Sequence, residues 1–303
     1  MEHSRPTSAP LHWVECPRDA MQGLPHQVPA ALKAAYLNAL LQVGFDTLDF
    51  GSFVSPQAVP QMADTAEVLA QLDLSGTHTR LLAIVANLRG AETACSFPQV
   101  SVVGYPFSLS ETFQQRNTRR SMADSMELVR DLYLLCADQG KELVVYLSMA
   151  FGNPYGDPWS VDWAAEWAER MAETGVRTLA LADTIGCAER ETISALFGNL
   201  IPRFPDVTFG AHFHAHPSQR IPMLEAAWDA GCRRFDTALK GYGGCPFAQD
   251  ELTGNIATET LLSFLESRHQ PATLNPAALY SAQLLAQQVF EPNQIHYVPE
   301  ENT

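Results

Sequence analysis

The chain contains the stretch VTFGAHFHAH at residues 207–216, an apolar run that ends in three alternating histidines. The apolar residues predict a β-strand over 207–213, and side chains two positions apart on a strand share one face. His212 and His214 would therefore project together from the strand end, with His216 beyond them. Two imidazoles on a rigid strand form half of a site for a divalent metal ion. A solvated or capped strand end is the plainer alternative for such a pair.

The next predicted strand, 233–239, is followed by the loop sequence GYGGCPFAQ at residues 241–249. Glycines on both sides of Cys245 favour a mobile loop that closes over a ligand, and the thiol is a candidate acid or base there. A small apolar filler is the alternative reading of this cysteine. Asn255 follows and offers a neutral oxygen ligand.

Strands and helices alternate along the rest of the chain, which predicts an α/β fold, a (β/α)8 TIM barrel with additional C-terminal helices. No GxGxxG loop follows the first predicted strand, so the dinucleotide-binding doubly wound sheet has no support. We expect a flexible tail at 1–10, a catalytic barrel at 11–258 and a helical extension packed on it at 259–303. The predicted strands cover 11–16, 45–50, 80–86, 99–105, 142–148, 176–182, 207–213 and 233–239. The predicted helices cover 29–43, 64–72, 90–95, 122–139, 161–174, 189–201, 217–230, 257–267 and 276–290.

The composition narrows the classes of partner and the compartment. The 303 residues carry a formal net charge of −15, from 19 basic and 34 acidic side chains. An acidic chain does not favour nucleic acid as its main partner. The sequence has no long apolar run, so we expect no membrane span. Six scattered cysteines without CxxC pairs indicate reduced thiols, and with them a cytoplasmic location.

Polar residues that follow different strands of a closed barrel meet at one face. Asp19 follows the first strand and supplies the hard anionic ligand that His212, His214 and Asn255 lack. This mixture of nitrogen and oxygen ligands suits Mg²⁺ or Mn²⁺ better than structural zinc. Arg18 would then stabilise an enolate oxygen. Such a site has the groups needed to make or break a carbon–carbon bond through an enolate.

Other polar residues have weaker claims to a place in the site. Asp49 is a candidate to orient Arg18, with a solvated strand end as the alternative. Asp183 is a candidate for ligand support or, with equal weight, for capping the helix that follows it. A basic cluster in this acidic chain is a candidate for phosphate contact, with a solvated loop as the alternative. The cluster comprises Arg116, Arg119 and Arg120.

Collinear motifs over residues 14–265 resemble the 3-hydroxy-3-methylglutaryl-CoA lyase family of metal-dependent barrel enzymes. The motifs are PRD at 17–19, SFVSP at 52–56, VPQM at 59–62, NLRG at 87–90, DTIG at 183–186, HFH at 212–214, GGCPFAQ at 243–249 and GNIATE at 254–259. The resemblance implies a divalent metal at Asp19, His212, His214 and Asn255. It also implies Arg18 as enolate stabiliser and Cys245 as loop acid or base. The implied reaction cleaves a 3-hydroxy-3-methylglutaryl thioester into acetyl-CoA and acetoacetate.

The sequence also departs from the pattern of that family. Asp49 stands where the family usually has glutamate, and Ala20 and Ala215 replace a glycine and an aspartate. The family glutamate before the first motif aligns with Val14, while Glu15 lies on the other strand face. These changes around the site point to a divergent member with an altered acyl pocket.

The expected partner is a small acyl-CoA or hydroxy-acid substrate, bound by a homodimer or higher homo-oligomer. Two other functions stay open. One is a related aldolase or Claisen-condensing enzyme for a different 3-hydroxy-acyl or 2-oxo acid substrate. The other is an inactive barrel that serves as a binding subunit.

Overall fold

A computed structural model of the chain describes residues 10–244, 253–270 and 272–291. Strands and helices alternate through these residues, as the hydrophobic pattern predicts. The strands are β1 (His12–Glu15), β2 (Thr47–Ser52), β3 (Arg80–Ile84), β4 (Val100–Ser108), β5 (Glu142–Ser148), β6 (Thr178–Asp183), β7 (Thr208–Ala215), β8 (Arg234–Thr237) and β9 (Gly254–Asn255). The helices are α1 (Pro17–Gln22), α2 (Ala30–Leu41), α3 (Thr65–Leu69), α4 (Leu88–Cys95), α5 (Glu111–Thr118), α6 (Met122–Asp138), α7 (Val161–Glu173), α8 (Arg190–Arg203), α9 (Arg220–Asp229), α10 (Thr258–Ser267) and α11 (Pro276–Phe290).

The first eight strands form one closed parallel sheet. Each strand pairs with its neighbours in sequence, and β1 also pairs with β8, which closes the circle. In that closing pair Val14 lies opposite Asp236 and Glu15 opposite Thr237. The fold is therefore the predicted (β/α)8 TIM barrel, and the carboxyl ends of all eight strands open at one face.

The core has two layers, because alternate side chains on each strand face the barrel interior or the surrounding helices. A small apolar cluster fills the interior and includes Leu82, Val102, Val144 and Tyr146. A much larger cluster packs between the barrel and its helices. Arg234 and Asp236 share the interior, since the Arg234 guanidinium lies 5.9 Å from the centre of the Tyr146 ring.

Two short helices lie where the sequence pattern indicated polar loops. The segment after β1 is α1, which begins with Pro17 in its first turn and is followed by Gly23. Residues 111–118, after β4, form α5, and the Ser110 side chain accepts a hydrogen bond from the backbone of Phe113 at its start. Consequently Arg18, Asp19 and Arg116 are helical residues and not loop residues.

The last described segments pack onto the barrel. The short β9 pairs antiparallel with the end of β7, with Asn255 opposite His214. Helix α10 packs beside α9, and α11 packs against α2. Within the described ranges, no helix combines the length and the apolar composition needed to cross a bilayer.

Candidate active site

Buried polar side chains from four separate segments meet at the carboxyl end of the barrel. Arg18 and Asp19 lie on α1, Asp49 on β2, His212 and His214 on β7, and Asn255 on β9. Each of these residues is less than 10% exposed. Burial of so many polar groups is costly unless they are paired or bind a ligand. Their convergence from both ends of the chain follows from the closure of β1 on β8.

Asp19, His212 and His214 form a group with metal-binding geometry. One ligand atom from each residue lies within 4.8 Å of the other two. Nδ1 of His214 lies 3.3 Å from the carbonyl oxygen of Thr184, and a carbonyl can only accept, so this nitrogen carries the hydrogen. Nδ1 of His212 lies 3.2 Å from a carboxylate oxygen of Asp236. Both rings are thereby set to offer Nε2 as a ligand, the usual arrangement of metal-bound histidines.

The buried Nε2 of His214 is placed to bind a cation. It has no hydrogen-bond partner in the described part of the chain and lies 3.4 Å from Oδ2 of Asp19. With the hydrogen on Nδ1, two electron-rich atoms face each other in a buried place. Burial raises the pKa of Asp19, but the charge of the neighbouring Arg18 guanidinium opposes this effect and contributes to a net pKa below the ordinary value. A divalent cation between these atoms would satisfy both, so the residues present fit such an ion.

Asn255 lies next to this group, but it presents its amide nitrogen. Nδ2 donates to Oδ2 of Asp19 and to the carbonyl oxygen of Tyr242, both at 2.9 Å. An oxygen ligand would require the amide to turn over and place Oδ1 against the Tyr242 carbonyl. The location of Asn255 beside Asp19 agrees with the sequence expectation, while its role as a metal ligand stays a prediction.

Cys16 belongs to a second group with His212 and Asp236, again within 4.8 Å of one another. Burial, reinforced by four nearby carboxylates, raises the pKa of the Cys16 thiol well above its ordinary value. The sulfur is therefore held as a neutral thiol, which is a poor metal ligand. Asp19, His212 and His214 form the better candidate site.

Arg18 is fixed between two carboxylates. Its Nε and Nη2 donate to Asp49, with the Nη2 contact at 2.6 Å, and Nη1 donates to Asp19 and Gln22. Burial disfavours the charged guanidinium, but Asp49 and Asp19 outweigh it and raise the pKa of Arg18. One N–H on Nη2 has no partner among the described residues, so the guanidinium retains a donor for a substrate oxygen. Asp49 thus has the orienting contact that the sequence suggested.

The ionised form of Asp49 is disfavoured by burial despite its contacts with Arg18. Burial raises its pKa to about 6, partly offset by the guanidinium, and the nearby Asp19 adds to the rise. A short carboxylate that is fully buried therefore depends on Arg18 to stay ionised.

Asp183 supports a backbone turn. Its two carboxylate oxygens accept hydrogen bonds from the backbone of Cys187 and Ala188, both at 2.9 Å. Burial raises the pKa of Asp183, against the effect of these donors. The contacts hold the loop that carries Thr184, whose carbonyl orients His214. Asp183 therefore affects the site through this loop and does not contact the candidate metal ligands through a hydrogen bond in the described residues.

The three arginines of the predicted phosphate cluster lie at the same face as the site. Arg116 is on α5, and its guanidinium lies 4.7 Å from the centre of the Tyr155 ring. Arg119 ends α5 in a left-handed conformation, with φ of 59°. Arg116 and Arg119 are exposed and Arg120 is half-buried. They stay candidates for a phosphate contact.

Cys245 lies outside the described residues, so its predicted role as acid or base stays a prediction. The described part of the loop, up to Gly244, comes close to the site. A side-chain carbon built on Gly243 would lie 2.6 Å from the backbone of Ala20 and 3.0 Å from the Asn255 amide. The loop backbone therefore packs directly against α1 and β9, which only a glycine permits.

Two residues that support the site were not among those predicted from the sequence. Asp236 on β8 accepts the hydrogen bond from His212, and Arg234 donates to the other oxygen of Asp236 at 2.7 Å. Charged residues two positions apart on a buried strand gave a usable signal, since that spacing places both on one face.

The chain is similar to proteins whose family is known. The family model described as HMGL-like matches residues 11–285. A protein named (R)-citramalyl-CoA lyase from Chloroflexus aurantiacus is 32% identical over 275 residues, 88% of this chain and 86% of the relative. The 3-hydroxy-3-isohexenylglutaryl-CoA/hydroxy-methylglutaryl-CoA lyase of Pseudomonas aeruginosa is 34% identical, with 82% of each chain covered. An HMG-CoA lyase from Acinetobacter baumannii, solved in complex with coenzyme A and 3-methylmalate, superposes with a TM-score of 0.84 at 26% identity, covering 97% of both chains.

Proposed function

This chain belongs to the HMGL-like family of carbon–carbon lyases, and we propose that it cleaves a 3-hydroxy-acyl-CoA thioester of the 3-hydroxy-3-methylglutaryl type. The products are acetyl-CoA and an oxo acid such as acetoacetate. The observation that carries the proposal is the buried group of Asp19, His212 and His214, with both Nδ1 atoms held by neighbours. This group supports metal-dependent enolate chemistry and disfavours an inactive barrel, which has no need of a buried Nε2 without a hydrogen-bond partner among the described residues.

The reaction breaks the bond between the carbon that bears the hydroxyl and the carbon next to the thioester. The hydroxyl loses its proton and becomes the carbonyl of the oxo acid. The electron pair of the broken bond passes into the thioester as an enolate, and a proton added to the enolate carbon gives acetyl-CoA. The balance requires an acid, a stabiliser for the enolate oxygen and a base that takes the hydroxyl proton, for which Asp19 and His212 are the candidates.

The residues at the barrel face supply these functions in the proposal. A divalent ion such as Mg²⁺ or Mn²⁺, when bound at Asp19, His212 and His214, would polarise the hydroxyl and carbonyl oxygens of the substrate. Arg18 directs its remaining N–H at the enolate oxygen, and Asp49 prevents the guanidinium from turning away. Cys245, on the glycine loop, delivers the proton to the enolate carbon. Asn255 completes the ligand set.

The coenzyme A portion of the substrate is assigned to the basic cluster. Arg116, Arg119 and Arg120 follow β4 at the same face, and phosphate groups favour arginine partners. A basic cluster at this face of a chain of net charge −15 is suited to an anionic group of the substrate. This arrangement supports an acyl-CoA over a free hydroxy acid or 2-oxo acid substrate.

A second substrate has a specific observation in its favour. The relative named (R)-citramalyl-CoA lyase matches 88% of this chain. A citramalyl thioester has one methylene fewer in its acid arm and yields pyruvate by the same bond cleavage. The shorter Asp49 and the other departures around the site leave room for a change in acyl length.

A direct assay separates these possibilities. The purified protein is stripped with a chelator, reloaded with Mg²⁺ or Mn²⁺, and offered 3-hydroxy-3-methylglutaryl-CoA and both citramalyl-CoA isomers. We expect metal-dependent release of acetyl-CoA, measured by mass spectrometry, and identify the substrate from the accompanying oxo acid. A metal-loaded protein that released no acetyl-CoA from any 3-hydroxy-acyl thioester would contradict the proposal.

A further inference from the structure

The carboxylate of Asp236 is held between a candidate metal ligand and a buried arginine. One oxygen lies 3.2 Å from Nδ1 of His212, and the other accepts from Nη1 of Arg234 at 2.7 Å. Both residues of the ion pair are 2% exposed. The three side chains form a continuous line along the barrel interior, from Arg234 at the start of β8 to His212 in the carboxyl half of β7.

The Arg234 side chain occupies space that a glycine on β7 leaves free. It crosses β7 at Gly210, where an added side-chain carbon would lie 2.5 Å from Nη1 and 3.0 Å from Cδ of Arg234. Apolar side chains of the interior cluster lie nearby, including Leu82, Val102 and Val144. Gly210 therefore provides the space that lets a long charged side chain reach Asp236.

Stability alone is a weak reason for this ion pair. Removing two charges from water costs several kcal/mol, and apolar residues of similar volume often give equal or greater stability. The interior cluster shows that apolar side chains already fill the neighbouring space. The pair is better explained by what it holds in place, because the Asp236 carboxylate also contacts Nδ1 of His212.

We propose that Arg234 and Asp236 form a positioning pair that orients His212 for metal binding. The inference rests on the proposed function in taking His212 as a ligand. Arg234 fixes the rotamer of Asp236, and Asp236 in turn fixes the plane and tautomer of the imidazole. Nε2 of His212 then points at the space shared with Asp19 and His214. Without Arg234 the Asp236 carboxylate loses one of its charged or hydrogen-bonding partners. The His212 ring is then no longer held in a single orientation.

The expected effect is on metal affinity. Loss of the residue behind a metal-bound histidine typically lowers affinity about 10- to 100-fold. Arg234→Met removes the donor and keeps most of the volume, whereas Arg234→Lys keeps the charge and restores part of the contact. Gly210→Ala displaces the guanidinium without changing any charge, and serves as a second probe where Arg234→Met folds poorly.

The experiment titrates Mn²⁺ into each apo-protein by calorimetry. We expect the Mn²⁺ affinity to fall roughly 10-fold or more in Arg234→Met, Asp236→Ala and Gly210→Ala. The affinity of Arg234→Lys should lie between those of Arg234→Met and the wild type. Nitrogen NMR of labelled histidine gives a second readout. It should show the Nδ1–H tautomer of His212 in the wild type and a mixture of states in Arg234→Met.

A matched control separates positioning from general destabilisation. Lys33 is another buried cation, and its Nζ lies 2.7 Å from Asp64, away from the metal group. Lys33→Met should lower the melting temperature and leave Mn²⁺ affinity unchanged. Wild-type affinity in folded Arg234→Met and Gly210→Ala would overturn the positioning pair and leave the proposed function standing. A wild-type protein that bound no Mn²⁺ would overturn the proposed function itself.

Discussion

At the scale of single residues, Arg18 is the side chain whose geometry is most demanding. It meets Asp49 through two nitrogens and Asp19 through a third, a fork that lysine cannot reproduce. We expect Arg18→Lys to lower kcat by about 100- to 1000-fold, because the enolate oxygen loses its aimed donor. Mn²⁺ affinity should stay within a few fold of the wild type, because the three candidate ligands are untouched.

The control for this change is Arg80→Lys, which alters a partly exposed pair with Glu142 at the other end of the barrel. Its kcat should match that of the wild type. A kcat for Arg18→Lys within twofold of the wild type would remove Arg18 from the mechanism.

Individual site residues differ in how far the sequence predicts them. The alternation of His212 and His214 on a strand predicts a shared face, and the structure places both beside Asp19. The partners of their Nδ1 atoms were not predictable in the same way, because Asp236 lies on β8 and Thr184 lies in the loop after β6. Their contacts depend on the barrel register, which no local pattern contains.

At the scale of elements, Glu15 connects β1, β8 and α10. Its carboxylate accepts from the backbone of Leu239 at 2.7 Å and from the hydroxyls of Thr258 and Thr237 at 2.6 and 3.1 Å. Burial raises the pKa of Glu15 to about 8, despite these donors. The folded protein therefore retains a proton on Glu15 that the unfolded chain has already lost.

This pKa predicts a pH-dependent stability. The favourable contribution is complete below the unfolded pKa of 4.5 and is lost as pH rises to about 8. Glu15→Gln lacks the titration, so the wild type should lose up to about 1.4 kcal/mol per pH unit relative to this variant across that window. Urea unfolding at pH 5, 6, 7 and 8 measures the difference. If the free energies of unfolding of the wild type and Glu15→Gln changed in parallel with pH, the prediction would be refuted. Glu127→Gln, a change at an exposed residue, is the control and should change in parallel with the wild type.

The elements that the sequence pattern missed share a physical cause. Helix α1 has six residues, too few to show a helical period, and its Arg18 and Asp19 look like loop residues. Helix α5 is eight residues long, with a polar composition, although Ser110 and Glu111 are typical of a helix start. The longer elements, such as β5 and α11, match their predicted bounds because their apolar periodicity is strong.

At the scale of the whole molecule, metal binding should couple to folding. Asp19 and His214 are far apart in sequence, so the ligand group exists only in the closed barrel. Mn²⁺ at about 100 times its Kd should add about 2.7 kcal/mol to the free energy of unfolding. Thermal melts with Mn²⁺ and with a chelator measure the effect. Asp19→Asn should abolish the response, and an unchanged melting temperature in the wild type would count against the site.

The barrel itself was predictable from sequence because strand and helix segments alternate over the whole chain. Quaternary structure was not, since a single chain gives no information on which surface is covered. The homodimer or higher homo-oligomer stays a prediction, as does the division of the chain at residue 258.

The pairing of β1 with β8 also dictates when the active site can appear during synthesis. Asp19 emerges from the ribosome early, but β8 and Asn255 follow more than two hundred residues later. A nascent chain with seven finished strands holds an open sheet with two unpaired edges and no place for a cation. Synthesis of the segment from β1 through Asn255 must therefore precede metal capture by the complete site, and until β8 pairs with β1 the sheet keeps edges that are prone to aggregation.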